Sequence, residues 1–153
     1  MNVRAWLAAA LIFTVAAFPA AAQDGRKHIV IARTPEQMAE LPFSDAVLVG
    51  NVLYLSGYIG IDEHTGKPPG TIEEETRLAM DGMKQAVEAA GMSMDDVVKI
   101  DVLCTDFNAF KGFNSVYRTY FKKGFPARTF TGSTQLFMGA HLEITGVAVK
   151  SAK

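Results

Sequence analysis

The chain has 153 residues, with 15 Lys and Arg against 16 Asp and Glu and a formal net charge of −1. That balance provides no basic field to collect nucleic acid, and Cys104, the single cysteine, excludes an internal disulfide. His28, His64, His141 and Cys104 lack any recognised ligand spacing, so no metal is expected.

Met1-Asn2-Val3-Arg4 is a short basic lead, residues 5–18 are continuously apolar, and Pro19-Ala20-Ala21-Ala22-Gln23 ends the run with small residues. This is the anatomy of a secretory signal peptide, with cleavage expected after Ala22. A retained anchor would need a longer run. Residues 1–22 are therefore read as a leader and residues 23–153 as one domain, periplasmic or secreted, with no membrane association after cleavage.

The β-branched run at 28–32 predicts an opening strand at a sheet edge. Thr34, Pro35 and Gln37 make a capping box with proline at the first helical position, which predicts a short helix over 35–40. Runs 46–49 and 52–59 flank the turn dipeptide Gly50-Asn51 and predict a hairpin. The Gly- and Pro-containing stretch 62–70 reads as a surface loop.

Thr71-Ile72-Glu73-Glu74 opens a long helix with a second capping box, its acidic first turn complementing the helix dipole. Ile72, Ala79, Met83, Ala86, Val87 and Ala90 recur at helical spacing, Gly91 marks the end, and Glu73, Glu75, Lys84 and Glu88 fall outside the stripe. Val98, Ile100, Val102 and Cys104 then alternate with Lys99, Asp101, Leu103 and Thr105 as a strand, which puts Cys104 in the core. A second helix is predicted over 109–121, with Phe110, Phe113, Tyr117 and Tyr120 or Phe121 as a core stripe and Asn108 as candidate cap. Gly124-Phe125-Pro126 stops it, and strands over 128–135 and 141–150 follow. This order defines an α+β chain: a mixed β-sheet with two helices packed on one face, the other face needing cover from another subunit.

Two charges stand out in the last strands. Arg128 opens an extended segment after Pro126, and Glu143 sits alone among apolar residues. If the two strands pair, Arg128 can fork onto a small carboxylate while Glu143 positions or deprotonates a water. Pro126-Ala127-Arg128-Thr129 followed by Leu142-Glu143-Ile144 resembles the reactive intermediate deaminase family, YjgF-like proteins that hydrolyse enamines and imines derived from amino acids. Pro42-Phe43-Ser44, Leu55-Ser56-Gly57, the helix over 74–91, Asp95-Asp96-Val97-Val98-Lys99 and Asn114-Ser115-Val116-Tyr117 match further blocks in order. The resemblance implies a chorismate-mutase-like fold, a homotrimer with clefts between subunits, and hydrolysis without a cofactor. Most of the family is cytosolic, so an exported member is unusual.

Residue by residue, Arg128 matches the arginine that holds the substrate carboxylate, the alternative being an ion pair with Glu143 or an interface acid. Glu143 matches the acid near the attacking water, the alternative being an edge carboxylate satisfied by solvent or backbone. Ser56 and Gly57 match the strand lining the cleft. Asn114 matches a family asparagine, with a structural bond between helix and loop as the alternative. Phe43 stands where many members have tyrosine, and Phe130 where Cys or a small aliphatic is common, although its backbone can still bond a ligand. Tyr58 stands where glutamine is frequent, and Phe137 replaces a proline. His141, two residues before Glu143, can share its face, the stronger reading being a solvent-exposed strand histidine. The implied activity is deamination of 2-imino acids to 2-oxo acids and ammonia; the alternative is a non-catalytic binder of small carboxylates. RNA cleavage, reported for some relatives, suits neither the neutral charge nor the exported address.

Overall fold

The computed structural model describes residues 25–31 and 34–150, so the leader predicted over 1–22 lies outside the described residues. Strand β1 (Arg26–Ile29) starts two residues before the predicted one and lies at a sheet edge. Helix α1 (Pro35–Glu40) follows the predicted box: Gln37 N donates to Thr34 Oγ1 at 3.3 Å and Thr34 N to Gln37 Oε1 at 2.9 Å. Strands β2 (Ala46–Val49) and β3 (Val52–Ile59) form the expected hairpin, with Gly50 at φ +60. Helix α2 (Ile72–Ala89) begins where Thr71 Oγ1 accepts from Glu74 N at 3.3 Å. It stops at Gly91, which takes φ +71.

Strand β4 (Val97–Cys104), helix α3 (Phe110–Tyr117) between two 3₁₀ turns, and strands β5 (Ala127–Gly132) and β6 (Leu142–Val149) complete the domain. The strand order is β1-β2-β3-β6-β4-β5. Every neighbouring pair is antiparallel except β4 and β5, which run parallel because α3 carries the chain back between them. Helices α2 and α3 pack on one face, enclosing Leu53, Met80, Met83, Val87, Ile100, Phe113, Leu142 and Ile144 at 0% exposure. Each such side chain contributes roughly 1.5–3 kcal/mol. This is the expected chorismate-mutase-like α+β architecture. Among the described residues no helix is long and apolar enough to cross a membrane.

Along β6, Leu142, Ile144, Gly146 and Ala148 are buried under the helices, while Glu143, Thr145, Val147 and Val149 point to the second face and stay partly exposed. Tyr54, the cross-strand partner of Val47 and Val147, is 54% exposed there.

Four local expectations are corrected. The alternation on β4 slips at its start, where the pairing with β6 skips Val98; Val97 is core and Val98 is 47% exposed. Asp106, not Asn108, caps the turn before α3, its carboxylate accepting from Asn108 N at 2.9 Å. At Thr71 only half of the predicted capping box forms. Glu75, outside the apolar stripe by spacing, is fully buried.

Candidate functional site

Arg128 alternates with Phe130 on edge strand β5, and both side chains point toward α3. The Arg128 guanidinium carbon lies 4.7 Å from the Tyr117 ring centroid, 5.5 Å from Phe113, 5.6 Å from Phe110 and 5.8 Å from Phe130. Such faces hold a cation without neutralising it. Asn114 Oδ1 accepts from Arg128 Nη1 at 2.7 Å and fixes the plane of the fork. No acidic side chain of the described residues pairs with Arg128, so the ion pair with Glu143 is not made within the protomer.

A hollow of about 290 Å³ opens beside this guanidinium, lined by Asn114, Tyr117, Arg118, Phe125, Pro126 and Arg128. The Tyr117 hydroxyl is buried beside Arg128 and has no acceptor for its proton among the described residues. Burial pushes its pKa up, with the Arg128 charge pulling the other way, so the phenol stays a neutral donor. The Phe130 ring sits 5.1 Å from Phe110 and 5.4 Å from Phe113, so it joins the cluster beneath Arg128 and does not line the hollow.

Glu143 stands elsewhere. Its neighbours Leu142 and Ile144 are both core, so its side chain projects from the second face, over a bulge in β3 between Leu55 and Tyr58. Gly57 lies in that bulge, and a methyl group on it would overlap Glu143 Oε1. No described residue hydrogen-bonds the Glu143 carboxylate. Ser56 Oγ donates to Ser44 O at 2.6 Å, which leaves its oxygen free to accept and ties the Pro42-Phe43-Ser44 segment to the bulge. The Phe43 ring is 51% exposed.

The strands carrying Arg128 and Glu143 do not pair: β4 runs between them, with Ile100 opposite Arg128 and Leu103 opposite Glu143. Two strand spacings, about 10 Å, three residues along β4, roughly another 10 Å, and the thickness of the sheet separate the two groups. His141 does not turn to Glu143 either. Its Nδ1 lies 2.8 Å from Glu75 Oε2, while Glu75 Oε1 accepts from His141 N at 2.6 Å and Leu142 N at 3.1 Å. Glu75 thus holds the start of the strand that carries Glu143, a role its helical position gave no sign of. Tyr58 is likewise engaged, its hydroxyl donating to Asp45 O at 2.7 Å. Cys104 is core, and burial pushes its thiol pKa up. Among the described residues no group of three or more His, Cys, Asp or Glu is arranged to hold a metal ion.

A six-stranded mixed sheet backed by two helices, with an aromatic-caged arginine beside an open hollow at one edge, defines a small α+β domain. Residues 34–150 match the family model described as endoribonuclease L-PSP, and the chain belongs to that family, the YjgF-like or Rid proteins. A human 2-iminobutanoate/2-iminopropanoate deaminase is 38% identical over 126 residues, covering 82% of this chain and 90% of that protein. The crystal structure of a putative endoribonuclease from Thermotoga maritima is 43% identical, covering 74% of this chain and 91% of its own, with a TM-score of 0.69. That of the Escherichia coli YjgF gene product is 31% identical, covering 82% and 99%, with a TM-score of 0.72.

Proposed function

We propose that this protein hydrolyses 2-imino acids to 2-oxo acids and ammonia at sites shared between the subunits of a homotrimer, in the periplasm or outside the cell. The observation that carries the reading is an arginine caged by rings and left without an acid beside an open hollow. Relatives named 2-iminobutanoate/2-iminopropanoate deaminase support the reaction class. The opposite placement of Glu143 supports sharing, because one small substrate meets both groups only where two copies come together.

Arg128 forks onto the substrate carboxylate, with Asn114 holding its plane and the Phe130 main chain on the edge strand beside it. Ser56 and Gly57 of the neighbouring copy, with Phe43 alongside, form the opposing wall, and the bulge leaves room for the substrate backbone. Glu143 of that copy takes a proton from water as its oxygen bonds to the imine carbon, and the C=N electron pair moves to nitrogen, which receives that proton. The carbinolamine hydroxyl then passes its proton by way of Glu143 to the amine, the oxygen lone pair forms the carbonyl, and ammonia leaves as the C–N bond breaks. No cofactor enters. Imines hydrolyse readily in water, so positioning and charge stabilisation suffice.

The test is to generate imines in situ from several amino acids with an oxidase and add the purified mature protein. Faster keto-acid formation is expected. No acceleration with any amino acid, together with retained pyruvate binding, would leave a non-catalytic carboxylate binder.

A further inference from the structure

We infer that the Arg128 hollow selects 2-imino acids bearing a second carboxylate, those derived from acidic amino acids. The inference rests on Arg128 as the ligand of the first carboxylate and adds Arg118 as the ligand of the second. Both arginines line the same hollow of about 290 Å³, and both are anchored on one residue. Asn114 accepts from Arg128 Nη1 through its side-chain oxygen at 2.7 Å and from Arg118 Nε through its main-chain carbonyl at 3.1 Å. Arg118 follows Asn114 by one helical turn, so the two stand on the same side of α3, and the terminal nitrogens of Arg118 make no bond within the described residues.

The electrostatics point to a dianion. The residues lining the hollow include two arginines and no acid, and neither cation has an acidic partner among the described residues. Like charges on one wall repel until an anion lies between them. One carboxylate is already matched by the fork of Arg128, so a second cation at the mouth is best used by a second acid. Tyr117, a 4% exposed residue of the same wall, keeps its buried hydroxyl beside Arg128 with no acceptor for its proton among the described residues, a donor for a carboxylate oxygen that reaches it. Phe125 and Pro126 supply an apolar stretch against which the short chain joining the two acids can lie.

The experiment has two arms. In the first, oxidases generate the imines of alanine, phenylalanine, aspartate and glutamate, and kcat/KM for keto-acid formation is measured for wild type, Arg118→Met and Arg118→Lys. The acidic imines are expected to be preferred. Arg118→Met should lower the acidic-to-neutral ratio of kcat/KM by roughly 10-fold, the lower end for a charge-assisted contact at an exposed residue, and Arg118→Lys should restore part of it. In the second arm, succinate and propionate are titrated without turnover; succinate should bind more tightly, and that margin should shrink in Arg118→Met. If alanine or phenylalanine imines are preferred and the ratio ignores Arg118, the inference falls while the deaminase reading stands. If no imine is accelerated but succinate is favoured through Arg118, the dianion site stands and the deaminase reading falls.

Discussion

Among the described residues, Arg128 is a cation covered by four rings and paired with no acid, whereas Glu143 is a carboxylate over a glycine with no donor. Under the proposed mechanism, variants of the two should separate two roles. Arg128→Ala is expected to weaken pyruvate binding and turnover together, with Arg128→Lys recovering only part, since a point charge lacks the planar fork. Glu143→Gln should keep affinity while the rate falls by roughly 10²-fold or more. Equal loss of binding in Glu143→Gln, read by titration of pyruvate, would make Glu143 a support for the site and not the residue serving water. Gly57 offers a second probe. A methyl there meets the flexible end of Glu143, so Gly57→Ala should leave the thermal midpoint nearly unchanged while turnover falls by roughly 10²-fold through misplacement of the carboxylate. A large drop in midpoint with no change in rate per folded molecule would place Gly57 in stability instead. The charged pair was legible in the sequence because a lone ionisable group in an apolar strand is conspicuous. Tyr117 was not, because an aromatic residue at helical spacing reads as core, and core it is; only its buried hydroxyl, with no acceptor among the described residues, distinguishes it.

Besides the apolar packing, one buried carboxylate ties α2 to the start of β6. Glu75 accepts three bonds from His141 and Leu142, so the strand bearing Glu143 starts where α2 dictates. Glu75→Ala would strand two main-chain donors, at roughly 2–4 kcal/mol in all, whereas Glu75→Gln keeps an acceptor oxygen for them and should cost roughly 1 kcal/mol. Urea unfolding with an unchanged slope measures both, and equal costs would show that the site responds to volume and not to the bonds. The elements themselves were readable, because capping residues, the Gly50-Asn51 turn and apolar periodicity are local signals. Pairing was not. Nothing near Arg128 or Glu143 announces that β4 inserts between β5 and β6, since strand order is decided by how the α3 crossover packs. The bulges at Gly57 and Val98 escaped for a related reason: a bulge is a property of two strands, and alternation is read along one.

A sheet with helices on one face and partly exposed valines and Tyr54 on the other has surface left to bury, and a closed symmetric assembly would bury it. Light scattering at micromolar concentration is expected to report a trimer, and a monomer would contradict the shared site as well as the assembly. The address belongs to the same scale. Expressed with its own leader in a secreting bacterium, the chain should be found outside the cytoplasm with an N-terminus near Gln23, and intact Met1 in the soluble cytosol would refute export.

The sharpest consequence of the fold is that Arg128 and Glu143, on opposite faces and two strands apart, must be supplied by different copies if they serve one substrate. Two dead variants should then rescue each other. Arg128→Ala subunits still carry Glu143, and Glu143→Gln subunits still carry Arg128. When the two are unfolded, mixed in equal amounts and refolded together, about a quarter of the interfaces of a cyclic assembly should join an intact arginine to an intact glutamate, and activity should return to about that fraction of wild type. Each variant refolded alone should stay inactive. If the mixture is no more active than its components while both assemble normally, the two groups act within one subunit or not on the same molecule. The shared-site mechanism would then be wrong, however well each residue alone is placed.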